Sequence, residues 1–312
     1  MWLALAFVSA ALLGLYDTSK KSALKDNAVL PVLFFNTLFS TLIFSPFIID
    51  GIAGTGWFAG TPLDSAPYAG HPETSGSSQG TLLHAHILII IKSFIVLASW
   101  IFGYFGMKHL PITIVGPINA TRPVLVLVGA MLFFGERLNG FQWTGVLLSM
   151  ASLYLLSISS RKEQVDFVHN RWIWFVAIAA VIGAVSGLYD KYIMRELSPM
   201  FVQSWYNLYQ MVTMAIICAI LWYPNRKHTT RFHWSWAIPF ISIFLSAADF
   251  AYFSALNQPD SMISVVSLIR RGSVIVSFAC GVILFRERNL KAKALDLLLI
   301  IIGMIFIYFG SR

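Results

Sequence analysis

The sequence predicts an all-α polytopic membrane protein with ten transmembrane helices, arranged as two inverted five-helix repeats. Three observations predict this fold class: an apolar composition, ten long apolar runs, and motifs that recur in order. Of the 312 residues, 57% are hydrophobic and 12% are charged, and the mean hydropathy is +0.73. A soluble domain carries roughly twice that share of charge. The composition therefore excludes a disordered chain, a disulfide scaffold and a water-soluble enzyme.

Ten apolar runs are long enough to cross a bilayer. A hydrocarbon core of about 30 Å needs about 20 residues of helix, and backbone groups in lipid must be paired within that helix. The predicted spans are 1–23, 28–50, 83–107, 112–135, 140–158, 170–196, 199–223, 233–256, 261–286 and 291–310. The first run lacks a positive amino-terminal region, so it is interpreted as a span and not as a signal peptide.

Basic residues are concentrated in the odd-numbered connections between spans. These connections carry Lys20, Lys21, Lys25, Lys108, Arg161, Lys162, Arg171, Arg226, Lys227, Arg231, Arg286, Arg288, Lys291 and Lys293, whereas the even-numbered connections and the carboxyl terminus carry Arg137, Lys191, Arg195 and Arg312. The positive-inside rule then places the odd connections in the cytoplasm and both termini outside the cell (inner or plasma) membrane. The net charge of +8 faces anionic lipid and needs no nucleic-acid partner.

One connection is long and has a distinct composition. Residues 51–82 are rich in Gly, Ser, Pro and Ala and contain no Lys or Arg. This segment is predicted to be a flexible loop on the outer side, with a mobile gate as the alternative.

Three motifs recur in the same order along the chain. GLYD occurs at 14–17 and 187–190, FGYFG at 102–106 is matched by FAYFS at 250–254, and FGER at 134–137 is matched by FRER at 285–288. The chain therefore divides into a first repeat at 1–158, a linker at 159–169 and a second repeat at 170–312. Because each repeat has an odd number of spans, five, the second repeat enters the membrane from the opposite side and is inverted. This plan is common in secondary transporters, whose substrate sites lie near the bilayer midplane.

The ends of the two fourth spans carry a family resemblance. The first copy reads LFFGERL at 132–138, with Gln142 and Gly145 after it, and the second reads LFRER at 284–288, followed by Gly303. Over the whole chain this pattern resembles EamA-type permeases of the drug/metabolite transporter superfamily. The resemblance implies a ten-helix transporter but no particular substrate. The second copy departs from the pattern at Arg286 and Asp296, and members of the family are usually drawn with both termini in the cytoplasm.

Four basic residues lie well inside predicted spans: Lys92, Arg122, Arg270 and Arg271. Charges at membrane depth cost free energy and are functional candidates. Since a guanidinium group can hold a carboxylate or phosphate in two parallel hydrogen bonds, the three arginines are predicted to bind substrate. The alternative is structural pairing with an acid such as Asp249.

Carboxylates, amides and aromatic residues complete the predicted site. Asp249, Asp17 and Asp190, together with Lys92, are candidates for coupling or gating, with helix packing or interfacial charge clusters as the alternative for the carboxylates. The further substrate-binding candidates are Asn119, Asn36, Asn207, Gln210, Tyr104, Trp205 and Tyr252. Amides in membrane helices serve equally well for bonds between helices. The pairs Glu136–Arg137 and Glu287–Arg288 are interpreted as structural caps and ion pairs between loops at span ends.

These features together predict a secondary active transporter of a small polar metabolite. The substrate would be anionic or zwitterionic, such as an amino acid or a related organic acid, and would move by alternating access with possible proton coupling. The alternative is an exporter of amphipathic drugs or cations, and a channel or membrane enzyme is a weaker alternative. No cofactor, metal or catalytic residue is expected. The predicted partners are the substrate and the lipid bilayer, with the chain as a monomer or homodimer.

Overall fold

The structure consists mainly of apolar helices. The computed structural model describes residues 1–24, 27–61, 63–68, 82–109, 118, 121–158, 170–226, 230–273, 275–276, 279–280, 298–299, 301–303, 305–306 and 308–310. Its helices are α1 (Trp2–Leu24), α2 (Val29–Ala53), α3 (Leu82–His109), α4 (Arg122–Phe134), α5 (Gly140–Ile158), α6 (Arg171–Ile193), α7 (Pro199–Ile217, continued by a π-helical turn at Cys218–Trp222), α8 (Ala237–Leu256) and α9 (Ile263–Arg271). A short apolar helix follows at Ile301–Gly310. The described part of the chain contains no strand, which confirms the all-α class.

Six helical segments are long and apolar enough to cross a membrane. They are Trp2–Lys20, Val29–Ala53, Leu82–Gly103, Arg171–Ile193, Pro199–Trp222 and Ala237–Leu256. The described residues therefore support a multi-pass protein, and the number of ten spans stays a prediction. The whole predicted linker and much of the predicted fourth, ninth and tenth spans lie outside the described residues.

Some helix ends differ from the predicted ends for identifiable reasons. Helix α2 continues past residue 50 and stops where Gly54 takes a left-handed conformation (φ 62°) and donates its N–H to Asp50. Helix α8 begins at Ala237, not at residue 233, because Asn27 bonds both the N–H and the carbonyl of His233. Helix α9 ends at Arg271, and helical residues recur at 275–276 and 279–280.

The chain forms two compact units that each use two stretches of sequence. Unit 1 comprises Met1–Ser93 and Tyr192–Pro259, and unit 2 comprises Phe94–Lys191 and Asp260–Arg312. Each unit therefore combines a segment from each predicted repeat.

Helices α1 and α8 pack closely in unit 1 because small residues line their contact. Ala6 and Ser9 of α1 are fully buried, and the Ser9 hydroxyl donates to the Ala248 carbonyl at 2.7 Å. Small side chains let membrane helices approach, and a serine hydroxyl then bonds across the gap. An apolar cluster at one end of this pair contains Ile238 and Ile241 of α8.

Helix α2 runs parallel to α8 through a ladder of polar side chains. The Ser242 hydroxyl donates to the Asn36 carbonyl at 3.0 Å, and the Ser246 hydroxyl donates to the Ser40 hydroxyl at 3.2 Å. Both pairs are separated by 206 residues, so the two helices advance in the same direction. These buried bonds fix the register of α2 against α8.

The segment after α2 is anchored at its described residues. The Asp50 carboxylate accepts from the Thr55 hydroxyl (2.5 Å), the Ser65 hydroxyl (2.7 Å) and the Trp57 N–H (2.8 Å). Ser198, which caps α7, then donates its hydroxyl to the Ala66 carbonyl at 2.8 Å. Residues 55–61 and 63–68 therefore form a strap that connects α2 to α7 through hydrogen bonds, and residues 69–81 of the predicted flexible loop lie outside the described residues.

Tyr68 ends the described part of this strap. Burial, together with the negative charge of Glu196, raises the pKa of the Tyr68 phenol. Tyr68 therefore stays neutral throughout the physiological pH range. Glu196 in turn lies 3.6 Å from the His84 ring at the start of α3.

In unit 2, Glu136 confirms its predicted role as a structural cap. It follows α4 and accepts hydrogen bonds from the first free N–H groups of α9: Ile263 N–H at 2.7 Å and Ser264 N–H at 3.3 Å, with the Ser264 hydroxyl as a third donor. A carboxylate at a helix amino terminus satisfies unpaired donors and opposes the helix dipole. Glu287–Arg288 lies outside the described residues.

Glu136→Ala is expected to lower the free energy of unfolding by about 1–2 kcal/mol, because α9 loses its cap. Thermal unfolding of the purified protein in detergent measures this. Arg137→Ala is the matched control, since Arg137 is exposed beside it and should leave the midpoint nearly unchanged. Equal midpoints for the two variants would contradict the cap.

Candidate functional site

A buried ammonium group lies at the centre of unit 1. Lys92 of α3 is only 2% exposed, and its Nζ lies 4.6 Å from the ring centroid of Tyr206 and 4.8 Å from that of Phe253. These rings belong to α7 and α8, so three helices surround the ammonium. Aromatic faces stabilise a cation without neutralising its charge. Lys92 is thus buried among helices of unit 1, and its depth in the membrane stays a prediction.

One face of α7 presents three buried amides beside Lys92. Gln203, Asn207 and Gln210 are 1%, 7% and 1% exposed, and their spacing of four and three residues puts them on one helix face. The Gln210 amide donates to the Ser93 carbonyl at 3.0 Å. This bond ties the amide face to the residue that follows Lys92.

Three atoms of these amides have no hydrogen-bond partner among the described residues. They are Gln203 Oε1, Asn207 Nδ2 and Gln210 Oε1. A buried polar atom left unpaired costs about 1–3 kcal/mol, so native proteins rarely keep one without a reason. Two unpaired acceptors and one unpaired donor therefore lie on one face of α7.

Aromatic side chains on a different face of α7 contact His86 of α3. The Tyr209 hydroxyl lies 3.0 Å from His86 Nδ1, and the Trp205 ring meets the His86 ring edge-on with centroids 4.4 Å apart. Trp205 was predicted to line the site, and it lies on α7 one turn before Tyr209. The contact between His86 and Tyr209 was not predicted, because it arises only when α3 packs on α7.

In unit 2 the Arg122 guanidinium packs closely against helix α6. Its Nη2 donates to the Ala179 carbonyl at 3.2 Å and contacts the Ser99 hydroxyl at 3.5 Å. A Cβ atom at Gly183 would lie 2.3 Å from its Cζ, so the guanidinium lies against the bare backbone of α6. Both partners are neutral, and Arg122 Nε is unpartnered among the described residues.

Arg270 and Arg271 form the last turn of α9, and both are partly buried. Helix α9 packs on α4 in unit 2. Glu136 joins the end of α4 to the start of α9. Arg122 lies at the start of α4, and Arg270 and Arg271 lie at the end of α9. All three arginines therefore lie at the helix ends remote from Glu136. The structure thus places all three arginines in one unit.

The other predicted residues are distributed over both units. Asn36 is buried and bonded to Ser242 in unit 1, which is a contact between helices. Tyr252 and Asp249 lie on α8, Tyr252 buried and Asp249 partly buried. Asp17 is exposed on α1 whereas Asp190 is buried on α6. Asn119 and the Tyr104 side chain lie outside the described residues.

Gln203 is the site residue that the sequence interpretation missed. Its signal was present, since Gln203, Asn207 and Gln210 place amides at i, i+4 and i+7 of an apolar helix. Three amides at helical spacing on one face of a membrane helix indicate either a helix contact or a ligand face.

Comparison with known proteins identifies the family. The sequence profile of the EamA-like transporter family matches residues 1–158 and 170–309. The chain belongs to the EamA-like transporter family. This match confirms the resemblance to the drug/metabolite transporter superfamily and makes the protein a multi-pass membrane transporter.

A solved structure shows the same fold as this EamA-like transporter. It is described as a crystal structure of a protein, and it aligns with 100% of this chain and 97% of its own, with a TM-score of 0.69 and 16% sequence identity. At that identity the likeness concerns the fold alone. A search of curated proteins found no match. Within the described part of this EamA-like transporter, no group of three His, Cys, Asp or Glu residues could hold a metal ion.

Proposed function

We propose that this EamA-like protein is a secondary active transporter of a small polar metabolite with an anionic or zwitterionic group. The observation that carries the proposal is the partly buried Arg122 guanidinium, whose hydrogen-bond partners are neutral and whose Nε is unpartnered among the described residues. A buried cation stabilises an anionic group and repels another cation. The site therefore favours acids over the amphipathic cations of the alternative hypothesis.

Alternating access between two inverted repeats is part of the proposal. The family profile matches two segments, 1–158 and 170–309, whose bounds nearly coincide with those of the predicted repeats. Two helix contacts also correspond under the repeat. In unit 1 the Ser9 hydroxyl of α1 donates to the Ala248 carbonyl of α8, and in unit 2 the Ser99 hydroxyl of α3 donates to the Ala179 carbonyl of α6. Since the repeat equates α1 with α6 and α3 with α8, these contacts support a duplicated plan.

Arg122 and the pair Arg270–Arg271 are proposed to hold the acid group of the substrate during part of the cycle. Arg122 has neutral partners and an unpartnered Nε among the described residues. Its guanidinium charge is therefore not neutralised by those hydrogen-bond partners. A substrate carboxylate or phosphate would supply the missing negative charge.

Asp249 is proposed to couple transport to protons. It lies one turn before Phe253 on α8, and the ring of Phe253 contacts Lys92. Residues four apart share a helix face, so Asp249 is on the side of α8 that faces the buried ammonium. Binding of an anionic substrate there would change the electrostatic environment of this carboxyl.

The orientation is also a proposal. The basic residues of the odd-numbered connections favour placing both termini outside the cell membrane. In unit 1 the bond between Asn27 and His233 joins two such connections at one end. That end is proposed to face the cytoplasm.

Uptake assays with the purified protein in liposomes test the transport proposal. Thermal stabilisation by a panel of carboxylates, phosphates and organic cations first selects a ligand, and counterflow of that ligand then measures exchange. We expect stabilisation by acids, saturable counterflow, and at least a roughly tenfold lower rate for Arg122→Ala and Arg271→Ala, because each removes a charge-assisted hydrogen bond. A channel gives no counterflow. Exchange of organic cations only, or unchanged rates in both variants, would overturn the proposal.

A further inference from the structure

We infer that Ser99 and Gly183 are positioning residues for Arg122: they hold its guanidinium against α6, so that Nη1 is the nitrogen presented to the acid group of the substrate. This inference rests on the proposed function and specifies how that site is built. Ser99 on α3, Arg122 on α4 and Gly183 on α6 all belong to unit 2. The arrangement is thus complete within one compact body.

The Ala179 carbonyl of α6 fixes one end of the guanidinium. It accepts hydrogen bonds from Arg122 Nη2 at 3.2 Å and from the Ser99 hydroxyl at 2.9 Å. Arg122 Nη2 also lies 3.5 Å from Ser99 Oγ. A carbonyl oxygen has two lone pairs, so it can hold both donors at once. Because Ser99 and Ala179 are buried, water competes little for these bonds, and Nη2 keeps its position.

Gly183 lets the guanidinium lie on the backbone of α6. A Cβ atom built on Gly183 would lie 2.3 Å from Cζ, 2.3 Å from Nη2 and 2.6 Å from Nε of Arg122. Non-bonded heavy atoms are normally about 3.5–4.0 Å apart, so a side chain at this position would displace the guanidinium. Ala179 and Gly183 are four residues apart and share one face of α6. That face therefore both bonds and supports the same group.

The remaining nitrogen is the one available to a ligand. A guanidinium is planar, so the positions of Nη2 and Nε determine the direction of Nη1. Nη1 is not among the three atoms nearest to the Cβ position of Gly183, so it points away from that contact. Nε is buried, whereas Arg122 as a whole is only partly buried. A carboxylate or phosphate therefore meets Arg122 through Nη1.

Holding the guanidinium in one orientation favours binding. A long arginine side chain that is already ordered loses less conformational freedom when an acid binds to it. Ser99 and Gly183 contact Arg122 and not the substrate, so their effect on the acid passes through the guanidinium. Their replacement should therefore weaken binding more than it slows the transport cycle of the loaded protein.

Transport kinetics of two variants test the inference. The probe is the compound with the lowest KM among lactate, alanine, succinate and inorganic phosphate, measured by counterflow with the purified full-length protein in liposomes. We expect Gly183→Ala to raise KM roughly tenfold and Ser99→Ala roughly threefold, with the maximal rate changed less. Ser99→Thr keeps the hydroxyl, so it should hold KM within about twofold of the wild-type value.

A double variant shows whether Gly183 acts through the guanidinium. Once Arg122→Ala has removed that group, adding Gly183→Ala should change KM by less than about twofold. The matched control is Gly103→Ala on α3, whose new Cβ would lie 3.4 Å from Ala179 Cβ, an ordinary contact at the same pair of helices. This control should leave KM nearly unchanged. A rise in Gly103→Ala equal to that in Gly183→Ala, or an effect of Gly183→Ala that persists without Arg122, would overturn the inference.

The result is independent of small losses of folded protein, because KM does not depend on the amount of active transporter. If Gly183→Ala fails to fold, the comparison of Ser99→Ala with Ser99→Thr still decides. Unchanged KM in Ser99→Ala and Gly183→Ala, with counterflow of the probe intact, would overturn the inference and leave the proposed function standing. Absence of counterflow for carboxylates and phosphates in the wild-type protein would overturn the proposed function, and this inference with it.

Discussion

Lys92→Met is expected to reduce saturable transport of the selected acid by at least about thirtyfold. Methionine keeps the length and apolar stem of the side chain but removes the ammonium that faces Tyr206 and Phe253. Removing one member of a buried, hydrogen-bonded charge pair costs roughly 2–5 kcal/mol, which corresponds to about 30-fold or more in affinity. Initial rates of counterflow in liposomes, measured over a range of substrate concentrations, give the loss.

A second buried lysine supplies the control for Lys92→Met. Lys191 is 3% exposed and its ammonium contacts the Ser261 hydroxyl in unit 2. Lys191→Met removes a similar buried charge from a residue that is not a substrate-binding candidate, so it should retain transport within a few-fold. Similar losses in both variants would show that Lys92 acts through general stability. Retained transport in Lys92→Met would remove this residue from the substrate site.

Gly183→Val is expected to give the largest loss of stability. A Cβ atom at this position would lie 2.3 Å from Cζ and Nη2 of Arg122. The guanidinium must therefore move away from α6 and lose its hydrogen bond to the Ala179 carbonyl. Overpacking costs typically 1–3 kcal/mol, and an unsatisfied buried donor adds about as much. The thermal unfolding midpoint of the purified protein measures the loss.

Two further variants distinguish the effect of the contact between Gly183 and Arg122 from the general effect of replacing a glycine. Gly140→Ala meets nothing within 4 Å of its new Cβ, so its midpoint should stay level or rise. Combining Gly183→Val with Arg122→Met should destabilise by less than the sum of the two changes, because the clash disappears with the guanidinium. Strict additivity would mean that the two residues do not meet.

The sequence predicted the elements of the fold better than their contacts. Hydropathy placed the ends of α1 and α6 within a few residues, because a bilayer demands a continuous apolar helix. It missed the strap after α2, since a segment rich in Gly and Ser carries no sign that Asp50 will collect its hydroxyl and N–H donors. It recognised Glu136 as a cap from its place at a helix end, but not that the capped helix begins 127 residues later.

For the candidate site, the sequence predicted which polar residues lie inside membrane helices, but it could not predict which side chains surround them. Lys92, Asn207 and Gln210 stood out because polar groups in membrane helices are costly wherever they lie. That Tyr206 and Phe253 enclose the ammonium depends on how α3, α7 and α8 pack, which no local pattern contains. The close packing of Arg122 likewise requires that Gly183 has no side chain. In the sequence, Gly183 resembles any other glycine in an apolar helix.

The ladder between α2 and α8 has a consequence for how the protein is made. Asn36 and Ser40 enter the bilayer with α2, and their partners Ser242 and Ser246 are synthesised 206 residues later. Throughout translation of the intervening helices, α2 must hold polar groups in lipid without the hydrogen bonds that they finally form. Unit 1 is therefore completed only after α8 has been synthesised and inserted, which makes its assembly a late step in the biogenesis of the protein.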